Sequence, residues 1–171
     1  KYENLNNKKD EIVLNPFRKF RNLNECDETS EENVKRRIEN AKCVEVSNKL
    51  DGSMQSARYY DGTFVMAGSQ SLNRYESWRL ADGYFMLMKA DNYKQMLMDY
   101  PDKTFIFEYI SQKDAHVVKY DVEGLFLIGI RDVNTGVESS YKEIIELANK
   151  YNVLTTEVFE KSLDEIMNEL D

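Results

Sequence analysis

The stretch Lys49-Leu50-Asp51-Gly52-Ser53 holds the residue types and spacing best suited to chemistry. It closes a run from Cys43 to Lys49 that reads as a strand, and it precedes a tyrosine-rich run that ends in Asp61-Gly62. A lysine at a strand end, with Asp-Gly behind it, can offer its side-chain amine as a nucleophile. Only the neutral amine attacks, and a free lysine with a pKa of about 10.4 is neutral less than about 0.1% of the time at pH 7. A site of this kind therefore needs neighbouring cations or desolvation. The same five residues also fit a surface turn in which Asp-Gly is the turn pair and Lys49 is solvated.

The elements that must position these residues alternate between strands and helices. Glu11 to Leu14 reads as a short strand closed by Asn15-Pro16. Thr29-Ser30-Glu31-Glu32 has the spacing of a capping box and predicts a helix to about Asn40. Ser53 to Tyr60 and Thr63 to Ala67 flank Asp61-Gly62, a strong hairpin signal. Leu72 to Met88 and Asn92 to Tyr100 look helical, with Asp82-Gly83 a candidate break, and Trp78, Phe85, Leu87, Met96 and Leu97 read as core. Lys103 to Ile110, Ala115 to Tyr120 and Leu125 to Ile130 read as strands, the last buried on both faces because it lacks any polar residue. Ser140 and Ser162 open two further capping boxes, with helices near Tyr141 to Tyr151 and Leu163 to Leu170. One α+β domain with a mostly antiparallel sheet and flanking helices accounts for this order.

Composition narrows the function classes. The 171 residues and 20.1 kDa suffice for a packed core, and 42% apolar content with two prolines describes a globular chain. No apolar run reaches the length of a membrane span, and no signal peptide opens the sequence. Cys26 and Cys43 match no metal-ligand spacing and fit a reducing cytoplasm with both thiols free. His116 is the single histidine, which limits His-based chemistry to that residue; it reads as a strand histidine. A net charge of −8 argues against broad nonspecific binding to nucleic acid. Lys35-Arg36-Arg37 reads as a solvated helix face.

Further segments fall in order around Lys49. Upstream is Pro16-Phe17-Arg18-Lys19-Phe20-Arg21-Asn22-Leu23-Asn24-Glu25. Downstream are Gly68-Ser69 after the hairpin, then Phe107-Glu108-Tyr109 within a strand, then the apolar Leu125 to Ile130 ending in Arg131-Asp132. With these blocks in this order, the chain resembles the ATP-dependent RNA ligases of the phage RNA ligase 1 type, within the covalent nucleotidyltransferase superfamily. The resemblance covers nearly the whole chain.

That resemblance implies a nucleotidyltransferase (ATP-grasp-like ligase) domain and a three-step sealing reaction. Lys49 would take AMP from ATP, AMP would pass to an RNA 5′-phosphate, and a 3′-hydroxyl would displace it. It implies that Lys19 reaches the nucleotide phosphates and that Glu108 helps hold the nucleotide. It implies too that Lys49, Leu50, Asp51 and Gly52 form the nucleotide-binding loop. ATP and Mg2+ are the implied cofactors, RNA ends the implied partners through the full-length protein, and the cytoplasm the implied location. No metal ligand is assigned by residue. The Leu125 to Ile130 strand could line an adenine slot, with no one residue chosen.

The chain also departs from the family pattern. An arginine-glycine strand would precede Lys1, and a basic residue would stand where Met66-Ala67-Gly68-Ser69 places alanine. A Glu-Gly strand, a Lys-x-Lys strand and a C-terminal domain would follow Asp171; Glu123-Gly124 lies too early to replace the first. Residues 1–171 are therefore expected to be a single partial adenylylation domain, truncated at both ends and impaired alone. Alternatives are a DNA ligase or mRNA-capping guanylyltransferase, which also use Lys-x-Asp-Gly, and a domain that binds nucleotide or a protein without chemistry. An acidic α+β domain with accidental motifs is the last.

Overall fold

Asp61 and Gly62 both adopt positive φ (48° and 77°), the backbone of a tight hairpin turn, so the chain reverses there with two residues. A computed structural model describes residues 11–114 and 120–160, with helical positions 165 and 168. In chain order these hold a 3-10 turn (Asp27–Thr29), helix α1 (Glu31–Glu39) and strands β1 (Glu45–Ser47), β2 (Ser53–Tyr60) and β3 (Thr63–Gly68). Helices α2 (Trp78–Lys89) and α3 (Asp91–Asp99), strands β4 (Lys103–Ile110) and β5 (Gly124–Asp132), helix α4 (Tyr141–Tyr151) and strand β6 (Val158–Glu160) follow. The chain divides into two compact units, one of Lys1–Pro16 and Leu50–Thr155, the other of Phe17–Lys49 and Thr156–Asp171.

The larger unit is an antiparallel sheet in the order β3-β2-β4-β5, with α2, α3 and α4 supplying helices. Period-two alternation decides its faces. Phe105, Phe107 and Tyr109 on β4 join Ala57, Leu125, Leu127 and Ile130 in the core, with Leu80, Leu87, Met96, Leu97, Ile144 and Ala148 from the helices. Burying each large side chain contributes about 1.5–3 kcal/mol. Tyr93 ties α3 to this core through its hydroxyl, which donates to Leu125 O (2.8 Å) and accepts from Leu154 N (2.9 Å). Glu108 belongs to the opposite face of β4, together with Thr104, Ile106 and Ile110.

In the smaller unit β1 pairs antiparallel with β6. Asn24 adopts positive φ, and its side-chain oxygen accepts from Glu31 N (2.9 Å) at the start of α1. Ser30 is the cap of that helix, accepting from Asn33 N (3.4 Å). Thr29, one residue earlier, closes the 3-10 turn on Cys26 instead. Lys35 pairs with Glu31 (2.6 Å) and Arg36 bonds Asn33 (2.7 Å), so the basic triplet is a solvated helix face as expected.

Several expectations are corrected. Glu11 to Leu14 forms no strand: Arg58 on β2 bonds the carbonyls of Ile12 and Val13, and Asn15 N donates to Thr104 Oγ1 (2.9 Å). Side chains satisfy that backbone, so it needs no partner strand. Helix α2 starts at Trp78 rather than Leu72 because Ser77 caps it, and it runs unbroken through Gly83. Trp78 and Phe85 are 47% and 55% exposed rather than core. Arg79 sits over the Trp78 ring (4.9 Å) and Lys89 over Phe85 (4.0 Å). Strand β5 is not buried on both faces, since Phe126 and Ile128 are only half-buried. Strand β6 gave no sequence signal. The strand over Ala115 to Tyr120, with His116, and the helix over Leu163 to Leu170 fall on stretches that lie outside the described residues, apart from Tyr120 and the helical positions Glu165 and Asn168. Tyr120 is not in a strand.

Arg131, at the end of the apolar strand, has a structural role. It is 4% exposed, and its guanidinium bonds Gly136 O (2.9 Å), Asn15 Oδ1 (3.1 Å) and the carbonyl of Pro16. Its planar fork suits several acceptors at once.

Candidate active site

In the larger unit the register of β2 against β4 builds the site. Ser53 pairs with Tyr109 and Met54 with Glu108, so the residues just before β2 lie against the end of β4. A Cβ placed on Gly52 would stand 2.3 Å from Tyr109 O and 2.7 Å from Ile110 Cδ1. Only glycine fits so close to a neighbouring backbone. At that distance Gly52 N donates to Glu108 Oε1 (2.9 Å). The amide before it, Asp51 N, donates to Tyr120 Oη (2.8 Å). Two consecutive backbone donors of the loop are thus held by side chains from β4 and from the β4–β5 connection. Asp51 is exposed and Leu50 half-buried.

The β4–β5 connection is braced on the same unit. Glu123 accepts from Ser111 Oγ (3.0 Å) and from Gln112 N, and Arg79 on α2 grips Asp114 with two nitrogens, Nη2 at 2.8 Å. Tyr109 donates its hydroxyl to Asp82 (2.7 Å), and Lys113 reaches the other oxygen of Asp82 (3.3 Å). Burial, with the Asp82 carboxylate beside it, pushes the Tyr109 phenol well above the usual range, so it remains a donor. Directly across the sheet from Glu108 lie Met54 on β2 and Phe126 on β5, both half-buried. The carboxylate is therefore flanked by an apolar strip.

In the smaller unit Lys49 is exposed, and the residue before it is fixed by hydrogen bonds. Asn48 N donates to Glu157 O (3.1 Å), Asn48 Nδ2 to Glu157 Oε2 (3.2 Å), and Thr156 Oγ1 to Asn48 O (3.0 Å). Lys19 is exposed, in a segment without regular structure. The nearby Glu25 caps its own turn through Asn22 N (2.8 Å) and Arg21 (2.9 Å). Those two bonds, with the Lys19 charge behind them, hold its carboxyl below the usual range. Asn22, Asn24 and Glu25 of the upstream block thus shape a turn, and Arg18 and Lys19 before it both face solvent.

Of the sequence-predicted residues, Asp51, Gly52 and Glu108 come together in one unit, and Leu50 opens that stretch. Lys19 and Lys49 belong to the other. Sequence reasoning missed Tyr120, Asn48, Thr156 and Glu157, because a lone polar side chain that bonds a distant backbone leaves no periodic trace. Among the described residues no group of three or more His, Cys, Asp or Glu gathers to hold a metal. A magnesium ion keeps several waters and needs only one or two carboxylates beside substrate phosphates. Asp51 and Glu108 can supply those.

Residues 3–170 match the family described as RNA ligase. The chain belongs to the RNA ligase family. A provisionally named RNA ligase of Thermovibrio ammonificans is 29% identical over 165 residues, covering 92% of this chain and 41% of that protein. A mutant RNA ligase of Naegleria gruberi, solved with ATP and Mn, superposes with a TM-score of 0.59 at 16% identity, over 75% of this chain and 40% of its own. An archaeal ATP-dependent RNA ligase gives 0.59 at 15% identity, over 73% and 34%. The chain thus spans about two fifths of the length of the RNA ligase relatives it matches. These superpositions establish the ligase nucleotidyltransferase fold that the family resemblance implied, within the α+β class that the pattern predicted.

Proposed function

We propose that this chain carries the lysine-adenylylation step of an ATP-dependent RNA ligase. The observation that carries this reading is the loop after Lys49, whose successive amides at Asp51 and Gly52 are held by Tyr120 and Glu108. Lys49 Nζ, as the neutral amine, attacks the α-phosphorus of ATP. The bond to the bridging oxygen breaks and pyrophosphate leaves with that electron pair, giving AMP joined to Lys49 by a P–N bond. The lysine proton goes to solvent. AMP then moves to the 5′-phosphate of an RNA end, and a 3′-hydroxyl displaces it to seal the strand.

The residues divide the remaining work. Lys19 contributes positive charge against phosphate oxygens. Gly52 lets backbone approach the nucleotide, and Met54 and Phe126 offer the adenine an apolar surface beside Glu108. A bound magnesium ion offsets charge on the triphosphate; Asp51 and Glu108 would hold it. The substrate is RNA ends, and the compartment the cytoplasm, consistent with Cys26 and Cys43 both being free thiols. No helix among the described residues is long and apolar enough to cross a membrane.

The test is intact-protein mass after incubation of the full-length protein with ATP and magnesium. We expect a gain of one AMP that Lys49→Ala abolishes. A protein that binds ATP yet gains no AMP would instead be a nucleotide-binding domain without chemistry. Ala67, buried on β3 where the family pattern has a cation, favours that second reading.

A further inference from the structure

We infer that Tyr120 is a positioning residue for the lysine nucleophile, acting through the backbone of the loop that follows it; this rests on the adenylylation reading above. Its hydroxyl accepts from Asp51 N at 2.8 Å. A phenol oxygen that accepts an amide proton still carries its own hydrogen, so Tyr120 holds the loop while keeping a donor. The neighbouring amide, Gly52 N, is held separately by Glu108 (2.9 Å). Removing the tyrosine oxygen therefore frees one peptide plane and leaves the next in place. That plane joins Leu50 to Asp51, one residue past Lys49. A reacting amine must sit within a few tenths of an ångström of its attack geometry, and small misplacements are costly in rate.

Tyr120 is itself delivered by a braced connection. Ser111 and Gln112, before it in sequence, are fixed to Glu123 after it, and Asp114 is held by Arg79 on α2. Neither Asp51 nor Gly52 meets its donor need through strand pairing, since β2 begins only at Ser53.

The experiment is Tyr120→Phe in the full-length protein, which keeps the ring and deletes the oxygen. Three readouts are taken: the rate of AMP transfer to Lys49 at saturating ATP, the ATP concentration for half-maximal rate, and NMR hydrogen exchange at the Asp51 amide. We expect the maximal rate to fall about three- to tenfold, as for one lost hydrogen bond. The half-maximal ATP concentration should stay the same, and exchange at Asp51 should quicken while Gly52 keeps its protection. A purely structural tyrosine would lower the melting temperature without this split. An unchanged rate, or unchanged exchange at Asp51, overturns the inference while leaving the reaction itself intact. A wild-type protein that takes no AMP overturns the reaction, and the positioning role with it.

Discussion

Gly52 sets how closely the loop after Lys49 can approach β4, because one methyl group there would stand 2.3 Å from Tyr109 O. The obstacle is backbone and cannot rotate away. Gly52→Ala should therefore push the loop off the strand and break the Gly52–Glu108 bond. We expect a loss of about 1–3 kcal/mol, seen as a lower melting temperature, and a slower AMP transfer. A variant with the wild-type melting temperature would show that the loop moves freely. The need for glycine here was legible in the Asp51-Gly52 pair. The reason was not, since the pair suggests a turn and the structure shows a close approach with no positive φ at Gly52.

At the scale of elements, α2 and β2 lock through a single polar contact inside the core. Gln55 is 1% exposed, its Nε2 donates to Arg79 O (2.8 Å), and its Oε1 has no hydrogen-bond partner. A Cβ on Gly83 would fall 1.9 Å from that oxygen. Alanine normally favours a helix over glycine by about 1 kcal/mol. Gly83→Ala should destabilise all the same, by about 1–3 kcal/mol, because the trapped amide has nowhere to go. Thermal melts of Gly83→Ala, Gln55→Ala and the pair test this: the pair should lose less than the sum of the singles. Additive losses would mean that the two side chains do not meet. This contact also explains why Asp82-Gly83, a breaker in sequence terms, sits unbroken inside α2.

Other elements were legible to different degrees for physical reasons. Lys103 to Ile110 was readable because it alternates and then turns apolar, as a strand entering a core does, and both its faces are buried apart from Glu108 and Lys103. The interior of β5 was not, because a run without polar residues hides the register shift between Ile106 and Phe107 on its partner. That shift moves the core-facing positions of β5 from Leu125 and Leu127 to Ile130. Trp78 and Phe85 misled because apolar spacing on a helix says nothing of cations seated over outward rings.

For the molecule as a whole, acid is the condition that most directly tests its electrostatics. Asp132 accepts from Thr135 N (2.8 Å) and from Lys103 Nζ (3.0 Å), and these hold its carboxyl far below the usual range. Asp99, bonded by Tyr151, and Asp91, bonded by Lys94, are lowered as well. A carboxyl with a depressed folded value binds fewer protons than its unfolded counterpart, so its stabilisation is complete above about pH 4 and fades as pH falls below that. Melting temperature should therefore drop steadily from about pH 4 toward pH 2. Asp132→Asn should start lower and drop less steeply. Parallel curves for the two proteins would remove Asp132 from the account.

The strand before Lys49, β1, has a partner far along the chain: Ser47 pairs with Val158, and Asn48, just past it, bonds Glu157, 109 positions away. On a ribosome, β2, β3, β4 and β5 all emerge before that partner exists. The sheet that holds Glu108 and the Asp51–Gly52 loop can thus form while β1 still has nothing to pair with. Of the residues proposed for the chemistry, Lys49 is made next after Lys19, and the strand before it is the last to be completed. During that interval the growing chain carries the Asp51–Gly52 loop while the strand before Lys49 still lacks its partner, so that pairing arrives in one late event rather than by degrees.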